Sequence, residues 1–346
     1  MYIQLEDGTV FTGKQFSGKR RRVGGRFTVH GTMIGHEEVM TDPANLDRIL
    51  LFTYPLVGGY GMNFEDNQSD GPTISAFLCR RAMENATNFR SEMDLKAYLN
   101  YYDVVGIEDV DTRGLIRHLK ETGMQKGVIT DRLMTPSEMD EYFAEQNPNT
   151  IEEVSTIEVT EIEGDGPTVA LWDFGVKDGI LEALNDAGYR LIVYPAMTNY
   201  EAILDDEPDL LFLSSGPGVA ANYLDLVHDI GQMIGKLPIY GMGLGAQFLG
   251  LALGGDLEKL ASPHAGASIP VKGEGERVYM TSQNREYGID HLPESVKIDY
   301  RNVADHTVEG FTDEKNKAVG VLFDPFGLPG ARDLLSAQLS VISELA

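Results

Sequence analysis

Gly241-Met242-Gly243-Leu244-Gly245-Ala246-Gln247 follows an apolar run at 238–240 and leads into a helix-forming stretch at 246–253. Strand, tight turn and helix in that order make a nucleophile elbow. The residue in the middle of such a turn is normally Ser or Cys. It is held in a strained conformation at the helix N-terminus, where free N–H groups and the helix dipole lower a thiol pKa and stabilise an oxyanion. The flanking glycines let helix and strand approach closely. Here the middle residue is Gly243, which has no side chain to attack with. A second apolar run, 210–213, ends in Ser214-Ser215-Gly216-Pro217-Gly218. Ser214 and Ser215 sit near the right strand end, but the pattern offers no His beside them, so bonding loop backbone is their favoured role. Cys79 follows an apolar run at 74–78 and reads as a small core residue. His264, in Pro263-His264-Ala265-Gly266-Ala267, reads as a loop residue rather than a base. The seven histidines show no spacing of the H-E-x-x-H kind, and no G-x-x-x-x-G-K-[ST] stretch occurs. No metal site, nucleotide site or cofactor is therefore expected.

The elements that must position these segments follow from hydrophobic period and turn chemistry. Residues 1–144 read as a strand-rich α+β domain. Asp7-Gly8 signals a hairpin, and helices are expected at 92–100 and 112–121, the second capped by Asp111 or Thr112 and stopped at Gly123. Residues 145–166 are acidic, broken by Pro and Gly, and read as a linker. From 167 to 346 strands and helices alternate. Strands are expected at 169–173, 190–194, 210–213 and 238–240, and helices at 179–187, 200–205, 221–234 and 246–253. Short strands return between 277 and 321, and a last helix spans 331–345. This rhythm predicts an α/β domain with a mainly parallel sheet, whose function sits at the C-terminal ends of the strands.

The elbow resembles that of class I glutamine amidotransferases, G-x-C-x-G-x-Q, which implies a flavodoxin-like C-terminal domain. The resemblance extends over nearly the whole chain and is to one family in particular, the carbamoyl-phosphate synthetase small subunit. It rests on Leu5-Glu6-Asp7-Gly8-Thr9-Val10-Phe11, Thr41-Asp42-Pro43, Thr53-Tyr54-Pro55, Tyr60-Gly61-Met62-Asn63, Arg90-Ser91-Glu92-Met93 and Asp111-Thr112-Arg113-Gly114-Leu115-Ile116-Arg117-His118-Leu119 in the first half. In the second half it rests on Asp173-Phe174-Gly175-Val176-Lys177, Ser215-Gly216-Pro217-Gly218 and Thr281-Ser282-Gln283-Asn284. The resemblance implies a glutaminase made of a Cys nucleophile, a His base and a Glu that orients the His. Carried over position by position, the Cys falls on Gly243, the His of the H-P-E motif on Asp324 and the Glu on Phe326. The family's Q-N-H-G-F segment is Gln283-Asn284-Arg285-Glu286-Tyr287 here, and Thr32 stands where the family often has a glutamine-contacting Ser. Glu286 either occupies the pocket and pairs with Arg285, or both point to solvent. Gly216, Gly218, Leu244 and Gln247 remain as features of the oxyanion hole and pocket.

The formal net charge is −26, from 28 basic and 54 acidic residues. That argues against nucleic acid and anionic membrane surfaces, both of which need clustered Lys and Arg. A single cysteine allows no internal disulfide, and the N-terminus lacks a signal-peptide pattern, so a cytoplasmic setting is expected. Two readings of function follow. In the first, the chain is a pseudoenzyme small subunit, a non-catalytic partner of a large synthetase subunit in pyrimidine or arginine biosynthesis. In the second, it is a free-standing protein that binds another small molecule in the remnant pocket.

Overall fold

The computed structural model describes residues 1–31, 33–146, 150–273, 277–326 and 332–346. The chain divides into two compact units, Met1–Asn149 and Thr150–Ala346.

The first unit is strand-rich. Its strands are β1 (Tyr2–Leu5), β2 (Val10–Thr12), β3 (Lys14–Ser17), β4 (Val23–His30), β5 (Arg48–Phe52), β6 (Ala76–Leu78), β7 (Val105–Glu108) and β8 (Lys126–Thr130). They form one sheet in the order β2-β1-β8-β4-β5-β6-β7-β3 among the described residues. β4 to β7 pair in parallel, and the remaining pairs are antiparallel. Its helices are α1 (His36–Met40), α2 (Leu95–Tyr101), α3 (Thr112–Thr122) and α4 (Pro136–Glu145). Strand alternation splits β5 between two cores. Ile49 and Leu51 join Ile3, Phe27 and Ile107, whereas Leu50 and Phe52 join Phe77 and Tyr98. Asp7-Gly8 makes the expected turn between β1 and β2, with Gly8 at φ +88. Asp111 caps α3 by accepting the Gly114 N–H at 3.0 Å, and Gly123 ends it.

The second unit carries β9 (Thr160–Ile162), β10 (Thr168–Asp173), β11 (Arg190–Pro195), β12 (Leu210–Leu213), β13 (Ile239–Met242), β14 (Asp256–Lys272), β15 (Val278–Asp290), β16 (Lys297–Asn302), β17 (Val308–Asp313) and β18 (Ala318–Val321). Its helices are α5 (Asp178–Asp186), α6 (Tyr200–Asp205), α7 (Leu224–Met233), α8 (Leu244–Ala252) and α9 (Arg332–Leu345). The sheet order is β15-β14-β16-β17-β18-β13-β12-β10-β11-β9. The five strands β18, β13, β12, β10 and β11 are parallel, as the βαβ rhythm predicts. Antiparallel strands extend that parallel core on both sides, so the whole sheet is mixed. Alternation again separates two cores: Val169 and Leu171 face one helical layer, Ala170 and Trp172 the other.

Residues 150–166, expected as a linker, are built into this unit. Ile151 is fully buried in its core, and β9 pairs with β11 at the sheet edge. Hydrogen bonds add to these ties: the Ile151 N–H donates to the Tyr223 hydroxyl at 3.2 Å, and the Ser155 hydroxyl accepts the Ala196 N–H at 2.8 Å.

Candidate functional site

Parallel order places the ends of β10, β12, β13 and β18 side by side, and the loops that leave them build the site. The chain turns at Gly243, with φ +55 and ψ −113, and α8 begins at the next residue. That φ lies where a Cβ is strained. The turn is pinned by the Gly243 N–H, which donates to the Val321 carbonyl at 2.9 Å, and by the Gly245 N–H, which donates to the Ser214 carbonyl at 3.0 Å. A Cβ on Gly245 would stand 2.4 Å from the Leu213 carbonyl oxygen, so α8 can pack this close to β12 only because that residue is Gly. The elbow read from the sequence is therefore present, with its glycine in the conformation expected of the missing nucleophile.

The loop after β12 lies against the elbow. The Ser214 hydroxyl accepts the Phe174 N–H at 2.8 Å and donates to the Ser215 carbonyl at 2.9 Å, the backbone-bonding role expected of it. Ser215 is less ordinary. Its Oγ is 2.7 Å, and its own Cβ 3.1 Å, from the point a Cβ on Gly243 would occupy. Gly216 lies against the Phe174 carbonyl, and Gly218 follows at φ +96. Leu244 and Gln247, in the first turns of α8, are both buried. The Gln247 Nε2 donates to the Tyr287 carbonyl at 3.4 Å, which ties the elbow helix to β15.

Asp324 follows β18. Its N–H donates to the Ser282 carbonyl at 2.8 Å, and its Oδ1 accepts the Phe326 N–H at 2.8 Å. The other carboxylate oxygen is paired with the ammonium of Lys177, and both side chains are only 13% exposed. Asp173, at the start of the loop that carries Lys177, is a buried carboxylate that accepts the N–H groups of Gly175 and Val176 at 2.8 and 2.7 Å and that of Thr156 at 2.7 Å. Burial pushes the Asp173 carboxyl up, against these three donors, which favour its charged form. Phe326 is half-buried and packs on the apolar core that includes Phe323 and Leu334.

On β15, Gln283 and Arg285 face inward, and alternation puts Asn284 and Glu286 on the opposite side, where both are half-buried. Arg285 is neither solvated nor committed to Glu286. Its Nη2 pairs with Glu309 at 3.0 Å, and its Nη1 donates to the Tyr287 carbonyl at 3.0 Å. His264 corrects the expectation of a loop residue. It lies on β14, buried, 3.2 Å from Glu309 and 2.7 Å from Asp305. Gln283 and Asn302 also donate to Glu309, at 3.0 and 2.9 Å. Burial opposes charge on all three central groups. On His264, hydrogen bonds to Glu309 and Asp305 outweigh burial and the repulsion of Arg285, and its pKa is raised. Glu309 is held below the usual carboxylate range despite its burial, by His264, Arg285 and Asn302. Burial lowers Arg285. Thr32 lies outside the described residues.

Residues 3–129 match the family described as carbamoyl-phosphate synthase small chain, CPSase domain, and residues 170–332 match glutamine amidotransferase class-I. The carbamoyl phosphate synthase small chain of Clostridium perfringens is 38% identical over 331 residues, which cover 95% of each chain. This chain belongs to the carbamoyl-phosphate synthase small-chain family. Small chains from Caldanaerobacter subterraneus subsp. tengcongensis (35% identical over 336 residues, 96% of this chain and 92% of that one) and Archaeoglobus fulgidus (36% over 339 residues, 96% and 94%) are also similar.

Sequence reasoning left two residues of this chain without a role, Lys177 and Glu309, and expected of Ser215 only backbone bonding. Lys177 had a usable signal, since it closes a motif at a strand end. Glu309 had none, because its partners His264 and Arg285 are 45 and 24 positions away in sequence. No helix among the described residues is long and apolar enough to cross a membrane.

Proposed function

We propose that this small chain has lost glutamine hydrolysis and serves a large synthetase subunit as a non-catalytic partner, within pyrimidine or arginine biosynthesis. Ammonia would then come from solution or from another enzyme. The observation that carries this reading is Gly243, which sits at the strained turn of an intact elbow and offers no nucleophile. Two further positions support it. Asp324, where the family has its His, is a carboxylate committed to Lys177, and a paired carboxylate is no substitute for an imidazole that takes and returns a proton. Phe326, where the family has its Glu, packs on apolar core and cannot orient a base. In this reading Gly216, Gly218, Leu244, Gln247, Asn284, Glu286 and Tyr287 are remnants of the glutamine site, kept for the fold.

The test is ammonia release from glutamine by the purified chain, alone and with a large subunit. Losing the nucleophile of a comparable hydrolase costs on the order of 10⁶ in rate, so release should not exceed background. Turnover on the order of 1 s⁻¹, an ordinary enzymatic rate, overturns the proposal.

A further inference from the structure

The sheet order makes the Lys177–Asp324 pair unusual. Lys177 belongs to the loop after β10 and Asp324 to the loop after β18, and β12 and β13 lie between those two strands. Neighbouring strands are spaced about 4.8 Å apart, so the two strand ends are about 14 Å apart. Side chains that start from opposite sides of that gap and meet bridge the span that β12 and β13 occupy. The ends of those two strands carry Ser215 and Gly243. The loop leading to Lys177 already leans that way, since the Phe174 N–H donates to the Ser214 hydroxyl at 2.8 Å. The loop leading to Asp324 is held by its bond to the Ser282 carbonyl at 2.8 Å. Just past the end of β12, the Ser215 hydroxyl stands against the space that a side chain at Gly243 would fill.

We propose that the Lys177–Asp324 pair is a strap laid across the elbow, which keeps the old reaction centre shut with the chain's own charged groups. This rests on the reading of the elbow as a disused site and extends it: the site is not merely without a nucleophile but internally occupied. Removing either partner breaks the strap and opens the space above Gly243.

A thiol placed at the elbow reports on that opening. Gly243→Cys is made in the full-length chain, and its iodoacetamide alkylation rate is followed by peptide mass mapping, which separates it from buried Cys79. The rate is then measured with Lys177→Met and with Asp324→Asn added singly. A purely electrostatic effect has opposite signs: loss of the cation raises the thiol pKa and slows labelling, loss of the anion lowers it and speeds labelling. A strap predicts that both substitutions speed labelling, by about tenfold for an opening equilibrium released from one half-buried ion pair. Equal rates in all three proteins, or opposite signs, overturn the strap. Hydrogen exchange covers the case in which Gly243→Cys does not fold. Lys177→Met in the natural background should speed exchange of the amides at 214–218 and 243–247, and unchanged exchange overturns the proposal. Glutaminase turnover by the natural chain would overturn the loss of activity and leave the labelling comparison standing, so the two readings fail separately.

Discussion

At Gly243 two costs meet when a Cβ is added. The backbone conformation, φ +55 and ψ −113, costs a residue with a Cβ about 1–3 kcal/mol. The new atom also meets the Ser215 hydroxyl at 2.7 Å, which can rotate away, and the Ser215 Cβ at 3.1 Å, which cannot. Gly243→Ala should therefore lower stability by about 1 kcal/mol or more, despite the gain from a less flexible unfolded chain. Urea unfolding of the two proteins checks it, and a neutral result would mean that the elbow relaxes. Gly243→Cys alone should not restore glutamine hydrolysis, because Asp324, at the position of the family's His, is paired with Lys177 and cannot cycle a proton as His does. An ammonia-release assay on the variant decides this. A third residue-scale prediction concerns Glu37 on α1, which is almost fully buried and accepts the Asn63 N–H at 2.7 Å. Burial, with smaller contributions from the charges of Asp66, Glu38 and Glu92, pushes its carboxyl up to about 8. The folded chain keeps a proton that the unfolded chain releases above about pH 4.5. Its contribution to stability is complete below that pH and declines as pH rises toward 8. Glu37→Gln should flatten this fall, and urea midpoints at about pH 5 and pH 8 measure it.

Among the elements, the long hairpin of β14 and β15 was the hardest to read. Pro263, Gly266 and Pro270 punctuate β14 as a loop would be punctuated, and only short strands were expected beyond 277. The structure absorbs the first two in register shifts between Lys259 and His264 and between Gly266 and Ile269, and keeps Pro270 in register opposite Met280. What holds the hairpin inward is its buried polar group, His264, Arg285 and Gln283 around Glu309 of β17. Removing one member of such a group strands a buried charge, so Glu309→Ala should cost about 3–5 kcal/mol, read from urea unfolding of the second unit. α4 was overlooked for a different reason. Its signal was local and present: Thr135-Pro136-Ser137-Glu138 is a capping box with Pro at the first position, and the Thr135 N–H donates to Glu138 at 2.8 Å. By contrast α3 and the strands β10, β12 and β13 were legible from caps and apolar runs alone.

For the molecule as a whole, the proposed role requires a partner. Affinity purification of the chain from its native host should retain a large synthetase subunit, identified by mass spectrometry. A chain that elutes without one would favour the free-standing binding protein. The acidic surface, −26 overall, makes any such association sensitive to salt wherever the partner's contact face is basic.

The sequence by itself determined the family, the two-part organisation and the elbow, because these rest on local signals: a strand, a glycine turn and a helix in immediate succession, and short motifs in a set order. It also determined that Gly243 has nothing to attack with, a matter of composition at one position. Only the tertiary structure decided which charged groups meet at the strand ends. Lys177 and Asp324 are 147 positions apart. Their meeting depends on the order in which β10, β12, β13 and β18 pair, and Glu309 finds His264 and Arg285 only once β14, β15 and β17 are in register. Hydrophobic period fixes which face of a strand is buried. It does not say which distant strand will lie alongside, and the pairing of charges follows from that choice.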